Sequence, residues 1–281
     1  MRQQIQIDNT RTGHGHYHGR VYIAGAGPGD PDLITVKALK ALKNADTVVY
    51  DRLVNPELLA HSPENSEHIY VGKKPGKPSV SQDQINRILI SKAQEHKIVV
   101  RLKGGDPFIF GRGGEECEAL ASEHIPFEVI PGISSALSAP AFAGIPLTHR
   151  NLARSFTVVT GHTLKDTHVF QNWDHIAHAD TLVILMGMKN LQKIVETLIT
   201  FGRPGDTPVT IIQKATFDDQ QVVTATLNTI VEKSQQFGSP ATIVVGELAA
   251  MSHDLIWFNS TEHSGQQRNS TYRNRIAKFA G

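Results

Sequence analysis

The sequence predicts an α/β protein built from two successive sets of strands and helices, the first on a mostly parallel sheet and the second on a mixed one. Three observations lead there. Short apolar runs alternate with longer amphipathic stretches along most of the chain, which is the pattern of strands joined by crossover helices. A Gly- and Pro-rich stretch at residues 131–147 interrupts that alternation midway. The 281 residues also suffice for two domains, each with its own core. The expected division is an N-terminal arm at 1–19, an α/β domain at 20–140, a second α/β domain with a mixed sheet at 141–259, and a polar tail at 260–281.

Taken in order, residues 21–24 read as a short buried strand ending at glycine. A helical pattern follows, with Leu33, Val36, Leu39, Ala41 and Leu42 on one side. Residues 47–50 (TVVY) form the next strand and 68–71 a weaker one. Ser81 and Gln84 have the S-x-x-Q spacing of a capping box, opening a helix that carries Ile85, Ile88 and Leu89. Residues 98–102 read as a strand, 113–124 as a helix and 127–130 as a strand. In the second set, strands are expected at 156–160, 181–185, 209–213, 222–225 and 243–245, and helices at 191–201 and 226–236. The pair 209–213 and 222–225, joined by a polar loop, reads as an antiparallel hairpin, which makes this sheet mixed.

Composition narrows the function classes. A net charge of +1 argues against a protein that coats nucleic acid. No apolar run is long enough to span a bilayer, and the first twenty residues lack the apolar core of a secretory signal. Cys117 is the sole cysteine, so no intrachain disulfide can form. A cytoplasmic protein without membrane contact is expected. His14, His16 and His18 lie in the polar arm with no further ligands nearby, so they read as solvated, and no metal site is expected.

Three segments carry chemistry. Residues 25–31 (GAGPGDP) follow the first strand and invite a dinucleotide-binding reading, with Asp51 at the second strand's end as the ribose acid. The details disagree: Asp30 occupies the third glycine position, and Pro28 removes an N–H from a loop that should donate to a pyrophosphate. Residues 101–116 (RLKGGDPFIFGRGGEE) place two glycines, which permit close approach of a ligand, beside Asp106 at the carboxyl edge of the sheet. Residues 130–136 (IPGISSA) and 144–150 (GIPLTHR) put Ser134 and Ser135 at a helix start, as caps or ligand contacts, and set His149 and Arg150 beside a loop.

These blocks, with YDRLV at 50–54, VGKK at 71–74, VIPGISS at 129–135, TGH at 160–162, LMGM at 185–188, QKAT at 213–216 and SPAT at 239–242, resemble the uroporphyrinogen-III C-methyltransferases of the tetrapyrrole methylase family, in order and nearly in spacing. The resemblance spans roughly residues 20–258. Related precorrin methylases diverge through 101–116 and 144–150, and diphthamide or ribosomal RNA methylases of the same fold would lack the combination of YDRLV with GRGGEE.

The resemblance implies two α/β domains of the tetrapyrrole methylase type, with S-adenosylmethionine bound in the cleft between them, S-adenosylhomocysteine as product, and a homodimer. By position it assigns cofactor contacts to Pro28, Gly104, Gly105, Asp106, Ile109, Ser134, Ser135, Met186 and Ala215. It implies methylation of uroporphyrinogen III at C2 and C7, giving precorrin-2 through precorrin-1. Asp51 is then the candidate base and Lys73 the candidate donor. The substrate's carboxylates call for cations, and Arg52, Lys74, Arg112, His149, Arg150 and Arg154 are the candidates. Two departures from the family pattern are Ser134-Ser135 where Thr-Ala or Thr-Ser is frequent, and Lys214 beside Ala215.

Overall fold

Strand β1 (Arg20–Gly25), β2 (Thr47–Tyr50), β3 (Glu67–Tyr70), β4 (Ile98–Lys103) and β5 (Phe127–Ile130) form one sheet in the order β3-β2-β4-β1-β5. Every neighbouring pair in it is parallel. The structure is a computed structural model, and it describes residues 19–72, 80–95, 97–161, 173–253 and 255–258. Lys73, Lys74, His14, His16, His18 and His162 lie outside the described residues, as do most of the arm and all of the polar tail. Gly19, assigned to the arm, donates its N–H to the Ala93 carbonyl at 2.8 Å and so is tied to the body.

Alternation along the strands separates two cores. Ala24, Val48, Val100 and Leu102 face α1 (Val36–Leu42) and a 3-10 helix at Pro56–His61. Val21, Ile23, Val49 and Val99 face α2 (Gln82–Gln94) and α3 (Gly113–Ser122). This two-sided burial is why the strands read as continuous apolar runs. The Ser81–Gln84 capping box is present with both reciprocal hydrogen bonds. The expected apolar face of the first helix is corrected at Val36, which is 68% exposed; Ala38, Ala41 and Leu42 form the buried face.

The second sheet contains β6 (Phe156–Thr160), β7 (Thr181–Leu185), β8 (Pro208–Gln213), β9 (Gln221–Thr226) and β10 (Ala241–Val245), in the order β6-β7-β10-β8-β9. It is mixed as expected: β6 and β7 are parallel, β8 and β9 form the antiparallel hairpin, and β10 runs against both β7 and β8. One face packs on α6 (Leu191–Thr200) through Leu191, Ile194, Val195 and Leu198, and on α5 (Trp173–Ala177). The other face packs Ile212 and Val244 against α4 (Ser135–Phe142) and a 3-10 helix at Glu247–His253.

One expectation changes here. The helix expected at 226–236 shrinks to α7 (Ile230–Lys233), because Leu227 and Asn228 donate their N–H groups to Thr207 and Gly205 and hold the start of that stretch in a turn. Within the glycine- and proline-rich stretch, α4 forms and straddles residue 140. It has no amphipathic period because its exposed Leu137 and Ala141 are apolar like the buried Ala136, Ala139 and Pro140. Among the described residues, no helix is long and apolar enough to cross a membrane.

Candidate active site

The connection leaving β1 runs to β2 on one side of the first sheet, and that leaving β4 runs to β5 on the other. Where adjacent strands diverge in this way, a crevice opens outside their carboxyl ends. The loops at that crevice are the glycine loops singled out above. Gly27 and Gly105 exchange backbone hydrogen bonds, the Gly105 N–H donating at 2.7 Å and the Gly27 N–H at 3.2 Å. Gly25 and Gly132 approach so closely that a Cβ on Gly25 would lie 2.5 Å from Gly132 Cα. Asp106 closes the arrangement: its Oδ1 accepts from the Phe108 N–H at 2.8 Å and its Oδ2 from the Gly132 N–H at 3.0 Å.

The loop after β1 continues differently from a dinucleotide site. Asp30 caps a 3-10 helix at Pro31–Leu33, accepting from the Asp32 N–H, and α1 begins only at Val36. The α-helix that follows this loop therefore does not begin at its glycines. Pro28, Gly104, Gly105 and Asp106 are half-buried, whereas Ile109 is 45% exposed on a loop with Phe108 and Phe110. Ser134 is buried and its Oγ caps α4 by accepting from the Ala136 N–H; Ser135 is the first helical residue.

The second sheet presents its own carboxyl edge to these loops. There Met186 follows β7, 44% exposed, and Lys214, Ala215 and Thr216 follow β8. Thr216 Oγ1 accepts from the Asp30 N–H at 2.9 Å, the Phe217 ring lies against Gly29, and Gln220 donates to the Phe142 carbonyl at 3.1 Å. The structure thus brings the expected contacts on both sheets to two facing edges. Lys214, the unusual residue beside Ala215, directs its ammonium to Asp219.

Asp51 stands just beyond β2. Its Oδ1 accepts from the Leu53 N–H at 3.0 Å, so it does cap the following turn, and its Oδ2 meets Arg101 Nη2 at 3.3 Å. Its ion-pair partner is Arg101. Arg101 and Lys103 lie on the α2–α3 side of β4, only 3% exposed each, and both reach the fully buried Glu116. Desolvation, then the nearby Arg101 charge, push the Lys103 ammonium below the usual lysine range, against the pull of Glu116. Sequence reasoning passed over this group, although two cations spaced by two in an otherwise apolar strand signal buried charge.

Among the expected carboxylate-binding cations, Arg52 and Arg150 are exposed and His149 is half-buried. Arg112 forks onto Glu115, with Nε–Oε1 at 2.7 Å and Nη2–Oε2 at 2.6 Å. Arg154 is exposed at the far end of the turn that His149 opens by bonding to Ala153, and its N–H donates to Asp180.

Fold and site together define a two-sheet α/β protein that holds a small ligand between opposed carboxyl edges. The sequence profile of the tetrapyrrole (corrin/porphyrin) methylases matches residues 20–231, and the chain belongs to that family. It is 49% identical over 245 residues to a uroporphyrinogen-III C-methyltransferase of Bacillus subtilis, covering 86% of this chain and 95% of that one. It is 54% identical over 233 residues to the enzyme of the same name from Methanocaldococcus jannaschii, covering 82% and 96% respectively. A crystal structure of uroporphyrin-III C-methyltransferase from Thermus thermophilus, complexed with S-adenosylhomocysteine, superposes with a TM-score of 0.73 at 41% identity, covering 83% of this chain and 99% of that one.

Proposed function

We propose that this chain is an S-adenosylmethionine-dependent C-methyltransferase that converts uroporphyrinogen III to precorrin-2 through precorrin-1, by methylation at C2 and C7. The observation that carries the proposal is the meeting of the 25–31, 104–106 and 131–135 loops at one carboxyl edge, in a chain about half identical to enzymes of that name along nearly their full length. The residues present suit such a cofactor. In front of Gly105 a Cβ would meet nothing closer than Ser134 Cα and Ser135 N at 3.9 Å, so a ligand can press against bare backbone there.

S-adenosylmethionine supplies a methyl group already activated on a sulfonium. What remains for the chain is to orient a pyrrole carbon in line with that methyl, at a near-attack distance of roughly 3–3.5 Å, and to remove the proton that the ring, made cationic by the transfer, must then lose. Each Asp51 oxygen accepts a single hydrogen bond among the described residues, which leaves lone pairs able to take that proton. Lys73 is the proposed donor. Arg52, Lys74, Arg112, His149, Arg150 and Arg154 are proposed to meet the substrate's carboxylates, with Arg112 exchanging Glu115 for substrate. We further assign the chain to the cytoplasm as a homodimer, with its two α/β units divided near residue 140.

The test is to incubate the purified protein with uroporphyrinogen III and labelled S-adenosylmethionine and to weigh the product. A tetrapyrrole carrying two added methyl groups is expected. Transfer to RNA or protein, with none to the macrocycle, overturns the reading.

A further inference from the structure

Behind Asp51, the Arg101 guanidinium is held through all three of its nitrogens. Nε donates to Glu116 Oε1 at 3.1 Å, Nη1 donates to the carbonyls of Leu102 at 3.0 Å and Val49 at 3.4 Å, and Nη2 donates to Asp51 Oδ2 at 3.3 Å. Glu116 is fixed in turn. Its Oε1 receives Arg101, Lys103 Nζ at 3.0 Å and Gln82 Nε2 at 3.2 Å, so β4, α2 and α3 all converge on one oxygen. Its Oε2 has no hydrogen-bond partner among the described residues.

Stability does not account for this group. Ions lose hydration when buried, and well-packed apolar side chains often replace such pairs without loss. Burying two cations and a carboxylate, with one carboxylate oxygen left unpaired, is a poor way to strengthen a core. What the arrangement does provide is geometry. A planar fork pinned at its other atoms presents Nη2 at one point, and a lysine at the same position could not span two carboxylates and two carbonyls.

We propose that Arg101, anchored by Glu116, is a positioning residue that holds the Asp51 carboxylate in a single orientation toward the reacting ring. The inference rests on the reading of Asp51 as the base, and it adds the device by which a half-exposed strand-end carboxylate keeps its aim. The Leu53 N–H fixes one oxygen of Asp51 and Arg101 the other. Glu116 supplies the counter-charge that lets Arg101 remain buried, and Lys103 shares that counter-charge.

The test is a double-mutant cycle in the full chain, scored by kcat, by KM for the tetrapyrrole and by S-adenosylhomocysteine affinity. Arg101→Lys keeps the charge and loses the fork. It should lower kcat by about 10–100-fold, the range that small misplacements of a reacting group cause, with KM and affinity unchanged. On an Asp51→Asn background it should lower kcat no further. A wild-type kcat for Arg101→Lys overturns the inference. So does a full additional loss on the Asp51→Asn background, which leaves Asp51 as base. If Asp51→Asn itself turns over at the wild-type rate, the base reading falls and the inference goes with it. Should Arg101→Lys fail to fold, Glu116→Gln takes its place in the same cycle, with a smaller loss expected in kcat alone and a wild-type rate overturning the proposal. Unfolding of both variants would assign the network to stability and overturn it as well.

Discussion

The two facing edges of the site share close glycine contacts, Gly25 with Gly132 on the first sheet and Gly161 with Gly187 on the second, and differ in which residues carry left-handed backbone at the strand ends. On the first sheet, close approach is achieved by leaving side chains out. A Cβ on Gly25 or Gly132 would overlap backbone of the neighbouring loop, and Gly105 adopts φ +70. On the second sheet, the turns after β7 and β8 adopt left-handed backbone with side chains in place: Met186 at φ 57, Lys214 at φ 49 and Thr216 at φ 73. Such residues cost of order 1–3 kcal/mol each unless neighbours hold them. The holding contacts are visible, since Lys214 N–H donates to the Pro240 carbonyl at 3.1 Å and Thr216 N–H to Gln220 Oε1 at 3.0 Å. At the strand ends the first edge gives left-handed backbone to Gly27 and Gly105, the second to residues with side chains whose hydrogen bonds sustain the strain. The close glycine contact of the first should therefore tolerate no added atom, and the left-handed turns of the second should tolerate loss of side chain.

The largest effect expected from this contrast is at Gly132. Gly132→Ala places a methyl group into the Gly105 carbonyl and the Gly25 backbone, and should destabilise by about 3 kcal/mol or more, the upper end for overpacked sites. Denaturant unfolding is the measurement, and a wild-type midpoint would break the steric reading of this edge. Gly105→Val comes next. Space exists for its Cβ, so the cost to stability should stay near 1–2 kcal/mol, the penalty of left-handed backbone. The β-branched side chain, however, occupies the region assigned to the cofactor. Calorimetry should show S-adenosylhomocysteine affinity reduced by at least about tenfold; unchanged affinity would make this loop a mere turn.

Between the edges, Thr216→Val removes the acceptor of the Asp30 N–H and should cost about 1 kcal/mol, raising KM for the cofactor more than it lowers kcat. At the second edge the effect should be smaller: Lys214→Gly relieves the left-handed backbone and loses only an exposed pair with Asp219, so stability read by thermal unfolding should change by less than about 1 kcal/mol. The smallest effect concerns Lys103 at the carboxyl end of β4. Its folded-state pKa is lowered by desolvation, so between that value and the ordinary lysine pKa of about 10.4 the unfolded chain binds the extra proton. Stability should therefore rise with pH across that alkaline window. Lys103→Met should flatten the rise, and an equal slope in both proteins would contradict the shift.

Much of the fold was legible from the chain alone. Strands at 47–50, 127–130, 156–160 and 181–185 coincide with observed elements; for 47–50 and 181–185 the reason is that burial on both faces writes a continuous apolar run that needs no partner to be recognised. The Ser81–Gln84 box was equally plain, since capping is a local interaction between residues three apart. The glycine loops at 25–29, 104–105 and 132 were singled out because glycine marks positions where a side chain cannot stand.

Other features became visible only in three dimensions. Helix α4 carries no period because its exposed positions, Leu137 and Ala141, are as apolar as its buried ones, and which side is covered is set by residues such as Ile212 and Val244 far along the chain. Arg112 and Glu115 are near neighbours, yet their pairing was not singled out because many neighbouring charges remain apart in water. The partner of Asp51 is Arg101, fifty positions away, because parallel pairing of β2 with β4 sets Val49 beside Arg101 and so brings Arg101 to the carboxylate. Sequence by itself determined which segments are strands, where the backbone must stay bare and to which family the pattern is similar, because these follow from local sterics and hydrophobic period. Tertiary structure alone decided which charges meet, because buried ion pairs are made by strand order and helix packing, and sequence separation carries no record of either.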